Sequence, residues 1–257
     1  MFRKRQVLLL LTLWGFSSYS FTMIASQPAR YTKDLVAIRI IDNPCDNIDM
    51  TAQDVEDLVR RSMGQYWNSV ETSRLRFNTG PRVEIGGSAT LNEMVSAISE
   101  NEIVIGCSDD PTLFNATNIL AKGTMTVTAP VRGVVAINNI VGSQFSQLSE
   151  MNRMATIAHE LGHAIGIGHS SHEHALMYYA ITTAIKQEFL AQDDADALTY
   201  LYPNDNDPVG LLGACSTIRD ISDNDRIFNA LISVLLVLAF YFSLPLFRIY
   251  QRRFSRV

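Results

Sequence analysis

Residues 159–169 read HELGHAIGIGH, and this short stretch decides which kind of domain the chain can form. If it is helical, His159 and His163 lie on one face, because residues four apart are neighbours on a helix. Two imidazoles on the same face can hold one metal ion. Glu160, beside the first of them, can then reach a water molecule in an open coordination position. The spacing therefore predicts a metal site on a helix, with a carboxylate next to it.

The second half of the stretch supplies a third ligand. Gly166 can take a positive φ at little cost, so the chain can leave the helix there and bring His169 back towards the first two histidines. Three protein nitrogens with a position left for water are typical of a catalytic zinc site, whereas structural zinc sites are closed. All five histidines of the chain lie between residues 159 and 174, which favours a dedicated site over chance scatter.

The full pattern, H-E-x-x-H-x-x-G-x-x-H, resembles the signature of the metzincin metallopeptidases. Downstream, residues 175–179 read ALMYY and fit the Met-turn of that clan, with Met177 as its methionine. The two serines after the third histidine, the AQDD at 191–194 and the YLYP at 200–203 resemble the matrixins in particular. The resemblance implies a zinc-dependent endopeptidase that holds one catalytic zinc ion and acts on proteins or peptides.

The resemblance also implies an α+β fold. It consists of a twisted, mostly parallel five-stranded sheet with an antiparallel edge strand, and about three helices. Hydrophobic patterning along the chain agrees with this order of elements. It predicts strands at 35–41, 75–77, 102–106, 120–129 and 134–138, and helices at 51–70, 91–99, 148–165 and 183–202.

Several residues receive roles from the resemblance. Glu160 would be the general base, and Met177 would pack beneath the metal without binding it. Ala155 matches a position that sets the depth of the pocket for the residue after the cut, and an alanine there implies a roomy pocket. The edge strand, with Leu120 and Ala121 at its start, would bind an extended substrate by strand addition.

Tyr179 is a departure from the matrixin pattern. Matrixins usually have proline two residues after the turn methionine, and this chain has tyrosine. Other metzincins have a tyrosine at that spacing that stabilises the oxyanion. Tyr179 is therefore a candidate for that role, and the alternatives are a wall of the substrate pocket or a core aromatic residue.

Other matrixin features are not found in this sequence. No segment matches the cysteine-switch motif, and no hemopexin-like segment is seen. Because no histidine lies outside 159–174, a second, structural zinc site of the matrixin type cannot be built. Calcium loops are not recognisable, so structural calcium stays an open question. His172 and His174 are expected to lie in solvent with Glu173 rather than to bind a second metal.

The N-terminus has the layout of a signal peptide. Basic residues at 3–5 precede an apolar run at 7–16, and small residues follow. We assign residues 1–26 to it, with cleavage after Ser20 and cleavage after residues 25–26 as open alternatives. An uncleaved anchor is the competing interpretation, although the apolar run is short for one.

The sequence of the C-terminal residues predicts a membrane anchor. Residues 227–247 contain no charge over 21 positions, which is long enough for a transmembrane helix. Residues 248–257 contain four arginines and no acid, so the positive-inside rule places them in the cytoplasm. The catalytic domain at 30–204 and a polar linker at 205–226 would then lie outside the cytoplasm, at the cell surface or in the periplasm. A C-terminal sorting signal that is clipped, which re-anchors or releases the product, is the alternative.

The net charge of the middle segment indicates which classes of partner the chain can bind. Without the three basic residues of the N-terminus and the four of the tail, 14 Lys and Arg stand against 26 Asp and Glu. So acidic a middle segment, with no basic stripe, argues against nucleic acid as a partner. The expected partners are a protein or peptide substrate and the lipid bilayer; the oligomeric state is not predicted.

Three cysteines are present in the chain. A disulfide is plausible in an exported domain. Cys45 and Cys107 both follow predicted strands of the N-terminal half, so we favour a disulfide between these two. In this prediction Cys215 is not part of a disulfide within the chain.

Two functions from different classes fit the sequence. The first is the zinc endopeptidase with Glu160 as general base. The second is a catalytically silent domain of the same fold that serves as a surface binding module. The complete ligand set and the intact glutamate favour the enzyme.

Overall fold

The computed structural model describes residues 21–85, 89–180 and 187–204. All of them belong to the first of two units of the chain, Met1–Leu212, and the second unit, Gly213–Val257, lies outside the described residues. The predicted transmembrane helix, the whole linker, the basic tail and Cys215 also fall outside the described residues, as do residues 1–20 of the predicted signal peptide. No helix within the described ranges has the length and apolar character needed to cross a membrane.

A five-stranded mixed sheet forms the centre of the domain, in agreement with the predicted α+β class. Its strands run in the spatial order β3-β2-β4-β6-β5, with β5 at one edge. The first four pair in parallel, and β5 pairs with β6 in the antiparallel direction. The strands are β2 (Leu35–Ile40), β3 (Arg76–Thr79), β4 (Glu102–Ser108), β5 (Ala121–Met125) and β6 (Arg132–Asn138).

A second, two-stranded sheet was not predicted. Its members are β1 (Phe21–Met23) and β7 (Ile167–Ser170), which pair in the antiparallel direction. The sequence assigned residues 21–26 to the signal peptide, and in the structure the first three of them form a strand of the folded unit. Short strands of this kind lack the alternation that sequence patterns detect.

Four helices are present in the described part of the chain, and the first three of them pack against the central sheet. Its two faces bury separate apolar clusters, because neighbouring strand residues point to opposite sides: Ile103 and Ile105 join one cluster and Val104 the other. The first and third helices pack on one face and the second on the other. The helices are α1 (Ala52–Gln65), α2 (Leu91–Ser96), α3 (Glu150–Ala164) and α4 (Gln192–Leu201).

Helix α1 begins and ends for identifiable reasons. Thr51 and Asp54 form a reciprocal capping box at its N-terminus. The helix was predicted to continue to residue 70 but stops at Gln65, and a short 3-10 turn, Trp67–Ser69, follows. Within that turn Trp67 is fully buried and its Nε1–H donates to the Ala158 carbonyl at 2.7 Å. The turn thus anchors α3, which carries the candidate site.

The last helix is shorter than predicted. It was expected from residue 183, but α4 begins at Gln192, and the described residues before it are not helical. The groups just upstream bond elsewhere: the Gln187 carbonyl accepts the Tyr66 hydroxyl at 2.6 Å, and its side-chain amide donates to the Ala175 carbonyl at 2.8 Å. These tertiary bonds take the place of a first helical turn.

A disulfide joins Cys45 and Cys107 in the structure, with a Cα–Cα distance of 5.6 Å and a sequence separation of 62 residues. Cys107 lies near the carboxyl end of β4, and Cys45 lies in the loop that leaves β2. The bond therefore links the connections at one end of two adjacent parallel strands. In an entropic account, a bond that closes so long a loop restricts the unfolded chain considerably.

We predict that the double variant Cys45→Ala/Cys107→Ala has a free energy of unfolding about 2–4 kcal/mol lower than the wild type, measured by urea denaturation. Reducing agent should lower the stability of the wild type and leave that of the double variant unchanged. An equal response of both proteins to reductant would contradict the assignment of the bond to this pair.

Candidate metal centre

Three histidines converge at one end of α3. His159 and His163 come from the helix and His169 from β7. The ring centroids of His159 and His163 are 4.8 Å apart, and the His169 centroid lies 5.4 Å and 4.8 Å from them, respectively. Each residue offers one ligand nitrogen, and these atoms all lie within 4.8 Å of one another. Such a cluster can hold one metal ion.

Hydrogen bonds orient the two helical imidazoles. His159 Nδ1 lies 2.7 Å from the Leu176 carbonyl oxygen, and His163 Nδ1 lies 2.8 Å from that of Ile167. A carbonyl can only accept, so each Nδ1 carries the proton and donates. This leaves each Nε2 with a free lone pair for a metal, the arrangement found around metal-bound histidines.

Burial keeps these imidazoles neutral. It lowers the pKa of His159 to about 3, with smaller contributions in the same direction from His163 and His169, and it also lowers the pKa of His163. A metal needs the neutral ring, so no proton has to be displaced at neutral pH. Three imidazole nitrogens are a donor set that suits Zn²⁺.

Glycines shape the turn and the floor of the site. Gly166 has a φ of +100°, which lets the chain leave α3 and bring His169 back, as its position in the motif predicts. Gly162, which the motif leaves unassigned, faces Met177: a Cβ there would lie 2.3 Å from the methionine sulfur. Met177 is fully buried and thus packs directly against the helix between the two histidines.

Asp194 holds the turn in place, a role that the sequence analysis missed. Its carboxylate accepts the backbone N–H groups of Leu176 at 2.7 Å, Met177 at 3.0 Å and Ala191 at 2.9 Å. Burial raises its pKa to about 6, and the three N–H donors act in the opposite direction. The Leu176 carbonyl in turn orients His159, so Asp194 acts on the site through one residue. The AQDD resemblance was the only sequence signal for it.

Glu160 lies beside the histidines and against the edge strand. Burial raises its pKa to about 7, while a hydrogen bond from the Gly123 N–H and the nearby Lys122 ammonium oppose that change. A Cβ at Gly123 would lie 2.1 Å from the Glu160 carbonyl oxygen, so only glycine permits so close an approach of β5 to α3. The carboxyl group is therefore placed between the helix and the edge strand.

A cleft opens beside these groups, with a volume of about 330 Å³. Leu120 and Ala121, the predicted substrate contacts, line it, and so does Tyr179, which is 68% exposed. Ala155, the predicted pocket residue, is buried in the main core and is not among the lining residues. Its neighbour Thr156 lines the cleft instead. Among the described residues, the lining consists of Asn118, Leu120, Ala121, Thr156, His159, Glu160, Tyr178, Tyr179 and Ala180.

The other two histidines lie apart from this site. His174 is exposed and its Nε2 is 3.7 Å from a Glu173 carboxylate oxygen, and its ring centroid is 5.5 Å from that of His172. Among the described residues, His159, His163 and His169 make the one cluster of three or more suitable side chains that could hold a metal.

The chain is similar to known proteins over its central part. A family model described as matrixin matches residues 30–203. Matrix metalloproteinase-18 of Xenopus laevis is 38% identical over 80 residues, which are 31% of this chain and 17% of that protein. Metalloendoproteinase 2-MMP of Arabidopsis thaliana is 36% identical over 73 residues, 27% of this chain and 19% of that protein.

Interstitial collagenase B of Mus musculus is 34% identical over 84 residues, 33% of this chain and 18% of that protein. The matched segments thus cover less than a fifth of the length of each of these three relatives.

We predict that Asp194→Asn lowers the free energy of unfolding by about 1–3 kcal/mol, measured by urea denaturation. The amide has one acceptor oxygen in place of two, so at least one buried N–H of the turn loses its partner. Asp196→Asn is the matched control, because Asp196 lies on the same helix and its side chain accepts a hydrogen bond from the exposed Gln192 side chain. Equal stability of the two variants would contradict the role given to Asp194.

Proposed function

The chain belongs to the matrixin family, a family of zinc metalloendopeptidases, and we propose that it hydrolyses peptide bonds of extracytoplasmic proteins or peptides in the cleft beside His159, His163 and His169. The observation that supports this is the convergence of three ligand nitrogens next to Glu160. Of these residues, His159 and Glu160 line a cleft that the start of the edge strand also borders. A zinc ion bound by the three imidazoles would polarise the scissile carbonyl and lower the pKa of water.

Glu160 is the proposed general base. It binds no metal in this scheme, so its carboxylate is free to take a proton from the attacking water and deliver it to the leaving amine. A pKa that burial brings to about 7 suits a group that must accept and then release a proton near neutral pH. The Gly123 N–H holds the carboxylate against the edge strand, where the substrate backbone would lie.

The substrate is proposed to bind as an extended strand. Within the described part of the chain, β5 has β6 on one side and no further strand of the sheet on the other. Free N–H and C=O groups at such an edge can pair with a peptide backbone. Leu120 and Ala121, at the start of this strand, line the cleft together with Glu160, so a peptide paired there would pass the reacting groups.

The side-chain pocket of this cleft is bordered by Thr156 and by the two tyrosines that follow the turn methionine. The Thr156 hydroxyl donates to the Asn152 carbonyl at 2.8 Å, so its hydrogen is already committed within the helix. We propose Thr156, rather than Ala155, as the helix residue that meets the substrate side chain.

The cellular setting is a proposal that rests on the ends of the sequence. Residues 1–26 as signal peptide, 30–204 as catalytic domain and 205–226 as linker would lead to a membrane helix at 227–247. The catalytic domain would then act outside the cytoplasm, anchored by that helix or released if the segment is a processed sorting signal. The expected partners are a protein or peptide substrate and a lipid bilayer rather than nucleic acid.

Substitution of Glu160 discriminates between the two hypotheses, a zinc endopeptidase and a catalytically silent binding module. We expect Glu160→Gln to bind zinc as the wild type does, because none of the three ligands changes, and to cleave a peptide library at least about 100-fold more slowly. Zinc content and cleavage products would be measured by mass spectrometry. Glu173→Gln is the matched control, because Glu173 is exposed in the nearby loop. This variant should cleave peptides as fast as the wild type. Undiminished cleavage by Glu160→Gln would remove the proposed mechanism, and a wild type that cleaves no peptide would favour the binding module.

Tyr179 is proposed to stabilise the oxyanion through its hydroxyl. Loss of an oxyanion donor lowers kcat about 100-fold or more, and KM should change little for Tyr179→Phe because the ring remains. Tyr200→Phe, a partly exposed residue of α4 outside the cleft, is the control and should keep its kcat. If kcat of Tyr179→Phe equals that of the wild type, Tyr179 is only a wall of the pocket.

A further inference from the structure

The strand β1 lies directly against the segment that carries His169. Phe21 pairs with Ser170 and Met23 with Ile167. Between these pairs, the Thr22 hydroxyl donates to the His169 carbonyl at 2.7 Å. We propose that β1 is a permanent part of the catalytic domain that positions the third ligand, and that N-terminal processing of the chain takes place before Phe21. The positioning role rests on the proposed function, whereas the placement of the cut does not.

His169 needs such support more than the other two ligands do. His159 and His163 belong to a buried helix of 15 residues. His169 is exposed and lies on a strand of four residues. Its side chain therefore receives little help from packing, and its position depends on how the backbone of β7 is held.

The backbone of β7 is held from two sides. On one side the Ser170 N–H donates to the Met177 carbonyl at 2.9 Å, which ties the strand to the turn. On the other side β1 pairs with it, and just beyond β1 the Ile24 N–H donates to the Gly166 carbonyl at 3.0 Å. Without β1, one edge of the strand between Gly166 and Ser170 would have no protein partner among these contacts.

Gly168 shows that the sequence accommodates β1. The zinc motif leaves this position unassigned, and the reason for glycine is steric. A Cβ there would lie 2.4 Å from the Thr22 Oγ1 and 3.0 Å from the Met23 carbonyl carbon. A side chain at this position would push β1 away, so the glycine allows the two strands to meet.

Contacts with α4 and the core fix β1 on its other side. The Phe21 ring lies 6.0 Å from the Tyr200 ring between centroids, and the Arg30 guanidinium lies over the same ring at 5.9 Å. Phe21, Met23 and Ile24 also pack against the main apolar core. The contacts of Phe21, Met23 and Ile24 are those of a folded segment, and they would be lost if the chain began after residue 26.

This arrangement discriminates between the two cleavage positions that the sequence leaves open. A cut after Ser20 would leave β1 whole. A cut after residues 25–26 would remove β1, expose the edge of β7 and uncover Gly168. The first position is therefore the one that the folded domain tolerates.

The N-terminus of the mature protein tests the placement of the cut. The full chain, expressed with its own N-terminus in a secreting host, would be purified and its first residue identified by mass spectrometry. We expect a chain that begins at Phe21 or earlier. A mature protein that begins after Phe21 would overturn this part of the proposal.

Zinc affinity tests the positioning role. Thr22→Val removes the hydroxyl that bonds His169 and keeps the shape of the side chain, so we expect zinc to bind roughly fivefold more weakly in competition with a chelator. Thr22→Ser keeps the hydroxyl and should restore the affinity. Thr72→Val, which removes an exposed hydroxyl bond to Thr199, is the matched control and should bind zinc normally. Wild-type affinity of Thr22→Val would overturn the positioning role.

A double-mutant cycle in the metal-free protein tests the contact independently of zinc. Gly168→Ala should lower the midpoint of urea unfolding, because the added methyl group meets the Thr22 Oγ1. In a Thr22→Ala background that shift should be smaller by about half, since the nearest clashing atom is gone. Additive effects would show that β1 does not lie against Gly168. If the wild type binds no zinc, the proposed function fails, and this cycle still decides whether β1 belongs to the domain.

Discussion

The hydrogen bond from His159 Nδ1 to the Leu176 carbonyl connects the two parts of the molecule on which the site depends. It links the rigid active-site helix to a turn that has no regular secondary structure of its own. The turn is held from behind by Asp194, whose carboxylate accepts two of its N–H groups. Helix α4 therefore helps to orient an imidazole on α3 through this turn. Each of these hydrogen bonds is buried, so the loss of any one leaves a buried polar group without a partner. The free-energy cost of such a group disfavours other arrangements of the turn and the imidazole.

The second constraint is the close approach of neighbouring segments to the backbone at three glycines. Gly123 allows the edge strand to reach the helix at Glu160, Gly162 allows Met177 to lie against the helix, and Gly168 allows β1 to lie against β7. Each of them occupies a position where a Cβ would fall within 2.4 Å of another atom. The site is thus formed by segments that are packed more tightly than side chains would allow, which leaves little room for the ligands to shift.

The central part of this arrangement follows from sequence patterns. The i, i+4 spacing of two histidines and a glycine that can reverse the chain predict three histidines close together, and hydrophobic alternation predicts the sheet. These signals are local and periodic. The start of α4 could not be predicted, because it depends on Gln187 and Asp194, whose partners lie far away in the chain. Thr156 in place of Ala155 at the cleft, and the strand β1, depend in the same way on contacts between distant segments.

For the proposed function the site must be rigid and yet open to a peptide, and the structure meets these two demands on opposite sides. His159 is 6% exposed and Met177 is fully buried, so packing in the core fixes the inner side of the site. His169 and Tyr179 are exposed on the outer side, where a substrate has to enter. Packing cannot fix groups that must face solvent. Their positions have to come from backbone bonds behind them, and for His169 these are the bonds that β7 makes to the turn on one edge and to β1 on the other. The two-stranded sheet therefore holds His169 in position at the rim of the site, as the apolar core holds His159 at its base.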